Sequence, residues 1–297
     1  MGWIFVPVIL FIIWRYPAII VCAITHIPSF LKYGVKDAID NIKHKPGRIP
    51  KMGQCICFSG LFGMGKTLSA VHTVRMIYRA YSGTRVFCPR RKEWVTLRVN
   101  ILSNVHLIGI PYIPLVGLQQ VVDLSKTVQK YDDEHNTLTV SPVLIDEAGA
   151  MLNSREFKKN IDPLVLNAIL TCRHANISIF YTAQRFMHVD ALLRQVTSYV
   201  YECKKVWRFQ FQRKYDAWAL EQAQDPSKVP CMSILSWFVR DVDYNSYDTF
   251  EFVENLIKQV EEGKMISEEE IIANLNLQPA NLDVGKRVKK LKPRYMF

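Results

Sequence analysis

Gly60-Leu61-Phe62-Gly63-Met64-Gly65-Lys66-Thr67 has the residue types and the spacing that hold a chain of phosphates. Glycines let the backbone curl so that successive N–H groups face inward and form a nest for anionic oxygens. The Lys66 ammonium would reach the outer phosphates, and the Thr67 hydroxyl would ligate Mg2+. This G-x-x-x-x-G-K-[ST] pattern needs a strand before it and a helix after it, and both are legible. Gln54 to Ser59 is a short apolar run, read as a buried strand. Leu68 to Tyr81 carries Val71, Val74, Ile77 and Tyr78 at helical spacing and ends before Ser82-Gly83. The dipole at the helix start adds to the anion site. Gly60 to Leu68 is therefore expected to bind ATP with Mg2+.

A second element supplies the chemistry. Ser141 to Ile145 is an apolar strand that ends in Asp146-Glu147. Asp146 would hold Mg2+ through its water shell, and Glu147 would polarise the attacking water. A binder of nucleotide has no need of the second acid, so the pair favours hydrolysis. Ile177 to Thr182 is another buried strand, closed by Ala183-Gln184, where Gln184 is placed to sense the γ-phosphate.

These groups must sit at the carboxyl ends of neighbouring strands, which a parallel sheet provides. The expected fold is α/β: a P-loop NTPase with a mostly parallel sheet flanked by helices. Arg85 to Cys88 reads as its second strand, Glu93 to Val99 as a hairpin strand, and Pro89 to Lys92 as a solvated basic turn. Gly109 to Gly117 reads as a loop before a helix at Leu118 to Tyr131. Pro163 to Cys172 reads as a helix, Val189 to Gln195 as a short helix and Ser198 to Cys203 as a strand. Lys204 to Tyr215 alternates polar and apolar residues and reads as a strand or hairpin; Trp207, Phe209 and Phe211, interleaved with Arg208, Arg213 and Lys214, are expected to face the core, with base stacking as the alternative. Helices are expected at Phe250 to Glu261 and from Ser267 onward. Residues 53–215 then form the ATPase domain and residues 216–297 a small C-terminal extension.

Composition agrees with a folded chain and excludes several classes. The 297 residues are 49% hydrophobic and 22% charged, which is neither disordered nor fibrous. Seven cysteines, mostly in apolar surroundings, suggest buried thiols in a reducing compartment, and Cys55-x-Cys57 lacks the spacing of a metal or redox site. The net charge of +11 points to a polyanionic partner, either nucleic acid or an anionic membrane face. Lys286, Arg287, Lys289, Lys290, Lys292 and Arg294 concentrate much of that charge in the tail. Phosphate binding by counterion release is one reading of the tail, and a solvated charge run is the other.

Residues 1–30 carry most of the excess hydrophobicity. Trp3 to Ile27 is long enough to cross a bilayer, although Arg15 costs about 3 kcal/mol at a span centre and Pro7 and Pro17 disturb a helix. A single N-terminal membrane-associated helix is expected, with an interfacial element or a buried core helix as alternatives. Lys32, Lys36, Lys43, Lys45, Arg48 and Lys51 follow in a basic linker spanning residues 31–52, which would keep the rest of the chain cytoplasmic. Neither a basic leader nor a small-residue cleavage site marks a removable signal peptide.

The order of motifs also carries a resemblance. The P-loop is followed by Ile101-Leu102-Ser103-Asn104, Leu144-Ile145-Asp146-Glu147, Thr171-Cys172-Arg173-His174, Thr182-Ala183-Gln184, and then Asp190 and Arg194. Over Gly53 to Lys205 this resembles the zonular occludens toxin family, the filamentous-phage assembly ATPases of the FtsK/HerA superfamily. The resemblance implies a membrane-bound, oligomeric ATPase, a hexameric ring, coupling hydrolysis to export or packaging of viral DNA with other virion-assembly proteins. It also implies a host inner-membrane location and a trans-acting arginine, for which Arg173 and Arg194 are the candidates. Filamentous-phage members carry their span after the ATPase domain, whereas the apolar segment here comes first. An export, packaging or conjugation-type ATPase is therefore expected. The alternative is a nucleotide-gated membrane scaffold that binds ATP without moving DNA. A nucleotide kinase fits less well, since no arginine-rich lid follows the second acidic strand.

Overall fold

Parallel strands buried on both faces dictate the architecture. The computed structural model describes residues 17, 21–22, 25–44, 51–88, 91–115, 119–148 and 176–248. The chain divides into two units, Met1–Arg48 and Ile49–Phe297. In the second, the main sheet runs in the order β11-β10-β9-β1-β8-β7-β3-β2. Its centre is β1 (Cys55–Ser59), with β8 (Ile177–Ala183) on one side and β9 (Tyr199–Val206) on the other, both parallel to it. Next come β7 (Thr137–Ile145) and β3 (Glu93–Val99), again parallel. The edges are antiparallel: β2 (Thr84–Cys88) against β3, and β10 (Phe209–Asp216) then β11 (Ser233–Phe238) beyond β9. The short strands β4 (Leu102–Ser103) and β6 (Ile113–Pro114) extend the sheet beside β7.

Every residue of β1 and β8 is buried, as a parallel sheet covered on both faces requires. Alternation splits β1 between two cores. Ile56 and Phe58 join Val71, Val74 and Ile77 of α2 (Lys66–Tyr81) on one face. Cys55 and Cys57 join Val121, Leu124 and Val128 of α3 (Gln119–His135) on the other. Burial pushes the Cys57 and Cys203 thiols well above the ordinary range. The thiolate is the reactive form. Both cysteines are therefore packing residues.

Three expectations differ from the structure. The stretch read as a linker contains α1 (Ile27–His44), a helix with Pro28 in its first turn, where the missing N–H costs nothing. Ile27, Leu31, Val35 and Ile39 recur at every fourth position, a period that the run of lysines obscures. Among the described residues no helix is long and apolar enough to cross a membrane. Most of residues 1–30 lie outside the described residues, as do Arg173, His174, the helix expected at Pro163 to Cys172 and the tail from residue 249.

The second difference is the boundary after residue 215. It falls inside β10, and β11 continues the same sheet. α5 (Ala217–Gln222), α6 (Asp241–Tyr244) and β12 (Tyr247–Asp248) also belong to the second unit, and β12 pairs with β5 (His106–Leu107). The third is the face of the aromatics in the β9–β10 hairpin. Trp207 is 71% and Phe209 46% exposed, and they cluster with Phe238 instead of the core. They sit at and beside the turn that joins β9 to β10. Period-two alternation predicts a buried face only where a second layer lies over the sheet.

Candidate functional site

The P-loop leaves β1 and is pinned on both sides. Gly60 N–H donates to the Ala183 carbonyl at the end of β8, 3.3 Å away. A Cβ at Gly60 would stand 2.8 Å from the Cys203 carbonyl of β9, so no side chain fits there. Gly65 starts α2 with φ +77°, a left-handed conformation natural to glycine, and a Cβ there would run into the Gln210 amide. No side chain caps this helix and its first turn holds no acid. Its free N–H groups and dipole therefore face the loop, ready for an anion.

Thr67 and Asp146 meet as the spacing predicts. The Thr67 hydroxyl donates to Asp146 Oδ1 and Oδ2 at 2.9 and 3.0 Å. A carboxylate and a hydroxyl are hard oxygen donors, the set that suits Mg2+, so these two residues would hold the ion. Lys66 leans back over the loop: its Nζ donates to the Leu61 carbonyl at 3.3 Å and lies 5.5 Å from the centre of the Phe62 ring.

Asp146 and Glu147 are oriented by two residues of the motif runs to which the sequence assigns no role. Thr182, at the end of β8, donates its hydroxyl to Asp146 Oδ1 at 2.5 Å and accepts the Glu147 N–H at 2.8 Å. Asn104, after β4, clamps the Asp146 backbone from both sides. Its Nδ2 donates to the Asp146 carbonyl at 3.0 Å, and its Oδ1 accepts the Asp146 N–H at 2.7 Å. Glu147 sits at φ +49°, a strained conformation for a residue with a Cβ, which its N–H to Thr182 holds in place. Thr182→Val keeps the shape and removes both hydrogen bonds. It should lower kcat for ATP about 10- to 100-fold while ATP affinity changes much less, measured by steady-state phosphate release beside ATPγS titration.

A pocket of about 470 Å3 opens over these groups. It is lined by Phe62, Gly63, Gly65, Lys66, Thr67, Leu68, Asp146 and Glu147, and also by Lys205, Tyr244 and Tyr247. The last three come from β9 and the 240–248 arm, far along the chain, and no sequence motif marks them. Burial, with the Asp146 carboxylate as the next cause, pushes the Tyr247 hydroxyl up to about 12, so it remains an O–H donor at neutral pH. Gln210 of β10 is also outside any motif. It is fully buried, and its Nε2 donates to the Met64 carbonyl at 3.0 Å, bracing the loop from below.

The remaining expected residues stand elsewhere. Gln184 is exposed just past β8 and is not among the pocket's lining residues. Arg194, in α4 (Ala191–Val196), is held inside its own subunit. Its guanidinium donates to the Val189 and Met187 carbonyls at 2.6 and 3.0 Å and pairs with Glu221 at 3.3 Å. The structure thus uses Arg194 to tie α4 to α5 and the preceding turn, where the sequence suggests a group for a neighbouring subunit's phosphates. Arg173 lies outside the described residues.

Residues 56–249 match the family model of the zonular occludens toxin (Zot). Among solved structures, the chain is similar to the N-terminal domain of zonular occludens toxin from Neisseria meningitidis. The identity is 18% and the TM-score 0.41, over 66% of this chain and 100% of that one. It is also similar to the genome-packaging NTPase of Sulfolobus turreted icosahedral virus 2, solved with ATP-γ-S. There the identity is 10% and the TM-score 0.37, over 63% of this chain and 98% of that one. No curated protein matches.

Proposed function

The chain belongs to the zonular occludens toxin family, and on that premise we propose that this P-loop ATPase works at a membrane and couples ATP hydrolysis to export, packaging or virion assembly of viral or mobile-element DNA. The observation that carries the hydrolytic reading is the pairing of Asp146 and Glu147 beside Thr67, both acids fixed by Thr182 and Asn104. In the proposed reaction the P-loop N–H groups and Lys66 bind the phosphate chain. Glu147 orients a water and takes its proton as the oxygen attacks the γ-phosphorus, and the bond to the bridging oxygen breaks to release ADP. Mg2+ held by Thr67 and Asp146 would neutralise charge on the phosphate oxygens.

DNA as the polyanion is supported by the net charge of +11 and by the family. Membrane association is supported by the apolar run of residues 1–30 and by α1. Its Leu31, Val35 and Ile39 are each more than half exposed, and Lys32 and Lys36 lie beside them. An amphipathic basic helix of this kind suits an anionic lipid surface. A ring of subunits, a hexamer as in the superfamily it resembles, with Arg173 reaching a neighbour's phosphates and Gln184 sensing them on closure, completes the reading. Its test is turnover of the full-length protein with and without single- and double-stranded DNA. We expect a DNA-dependent rise of about tenfold, at salt low enough for phosphate contacts to form. Turnover that ignores both DNA forms at every salt concentration would remove DNA coupling and leave the ATPase.

A further inference from the structure

The phosphate site contains a second ammonium that belongs to none of its motifs. Lys205 is the seventh residue of β9 and lines the same pocket as Lys66, Thr67, Asp146 and Glu147. Three observations fix the side of the sheet on which it stands. Side chains two apart on a strand share a face, and Tyr201 and Cys203 of β9 both pack in the core formed with α2. Cross-strand partners also share a face, and Lys205 is paired with Gln210, whose amide reaches the Met64 carbonyl of the P-loop. The Lys205 ammonium itself lies 5.1 Å from the centre of the Tyr244 ring, another pocket residue. Among the described residues it has no carboxylate partner.

Tyr244 is firmly placed. β11 and the arm that follows it are both tied to α2: Trp237 of β11 stacks on His72 at 3.8 Å, and Arg75 donates to the Val242 carbonyl of the arm at 3.4 Å. The arm is tied again where the Ile108 N–H donates to the Ser246 carbonyl at 2.9 Å and β12 pairs with β5. A cation resting on an aromatic face, without an anionic partner, keeps its charge available at little cost.

The electrostatics call for such a group. A triphosphate brings several negative charges into a pocket that already holds two carboxylates, and Lys66 and Lys205 are the cations among its described lining residues. We infer that Lys205 is a second phosphate-binding residue of this ATPase, contacting the phosphate chain of ATP directly from the strand beside β1. The inference rests on the nucleotide reading of the site and adds a ligand that the Walker motifs do not contain. It also gives the β9–β10 hairpin two links to the P-loop: a fixed one through Gln210 and a nucleotide-dependent one through Lys205.

The test uses full-length protein and ATPγS with Mg2+, titrated by calorimetry. Lys205→Met removes the charge and keeps the stem. We expect its Kd for ATPγS to rise about 10-fold, the loss of one charge-assisted hydrogen bond. Lys205→Arg should stay within about threefold of wild type, since it retains a cation. Lys204→Met, on an exposed neighbour facing away, should bind as wild type does. Melting of the nucleotide-free protein separates binding from folding, and the Lys205→Met midpoint should be unchanged. Binding by Lys205→Met within about twofold of wild type would overturn the inference. So would a lowered nucleotide-free melting midpoint that Lys205→Arg fails to restore, since the residue would then be structural. If wild type itself binds no ATPγS, the nucleotide reading fails. If wild type binds and Lys205→Met binds equally, this inference fails alone.

Discussion

Lys66→Ala should reduce ATP hydrolysis by about 10³-fold or more, to the background of the assay, and should weaken ATP binding as well. In the structure the Lys66 ammonium sits at the mouth of the loop on a long 3.3 Å hydrogen bond to the Leu61 carbonyl, a weak contact that a phosphate oxygen readily replaces. Charge on the β- and γ-phosphates grows toward the transition state, and a fixed cation there is worth more in the barrier than in the ground state. The fold should not notice the change. Lys66 is half-buried, starts α2 without capping it, and belongs to neither core. Phosphate release and a melting curve on the same sample check both halves. Unchanged turnover would remove the ATPase assignment.

Glu147→Gln should separate binding from chemistry. Glutamine preserves the shape and the backbone N–H that Thr182 accepts at 2.8 Å, so the strained φ of +49° is held as before. What is lost is the base. General-base catalysis contributes about 10²- to 10⁴-fold, and kcat should fall by that order while ATPγS affinity stays within about threefold. A large loss of affinity would make Glu147 a ligand or a structural residue instead. Asp146 and Glu147 are neighbours, yet different partners hold them: Asn104 fixes only the backbone of Asp146, and Thr182 bridges the two. The variant therefore leaves the Mg2+ position of Thr67 and Asp146 intact.

The parts of this site that were legible in the sequence are the local ones. A loop whose glycines are dictated by backbone geometry, and a strand that ends in two acids, announce themselves within a few residues. Strands β1, β7 and β8 follow from apolar runs bounded by those motifs. What escaped is non-local. Thr182 and Asn104 stand in the motif runs, but their roles lie in paired hydrogen bonds across strands, which residue type and spacing do not announce. Gln210, Lys205 and Tyr244 reach the P-loop only because β9 pairs with β1 and the 240–248 arm folds back onto α2. The alternation of Lys204 to Tyr215 suits a strand or a hairpin, and the structure forms the hairpin of β9 and β10, but alternation does not say which faces are covered. Trp207 and Phe209 accordingly came out on the surface. Arg194 shows the same limit from the other side. An arginine near a nucleotide site suits a finger by type, but the carbonyls of Met187 and Val189 and the carboxylate of Glu221 claim this one.

This site breaks the γ-phosphate bond of ATP and does not merely hold the nucleotide. The measurement that tests this most directly is the fate of ATP labelled at the γ-phosphate, incubated with full-length protein in Mg2+ beside the Glu147→Gln variant, with bound and released nucleotide separated and identified. The predicted result is labelled phosphate and ADP from wild type over many turnovers, and intact ATP retained on Glu147→Gln. Intact ATP recovered from both proteins, with DNA and membranes supplied, would make the protein a nucleotide-gated scaffold and not an ATPase.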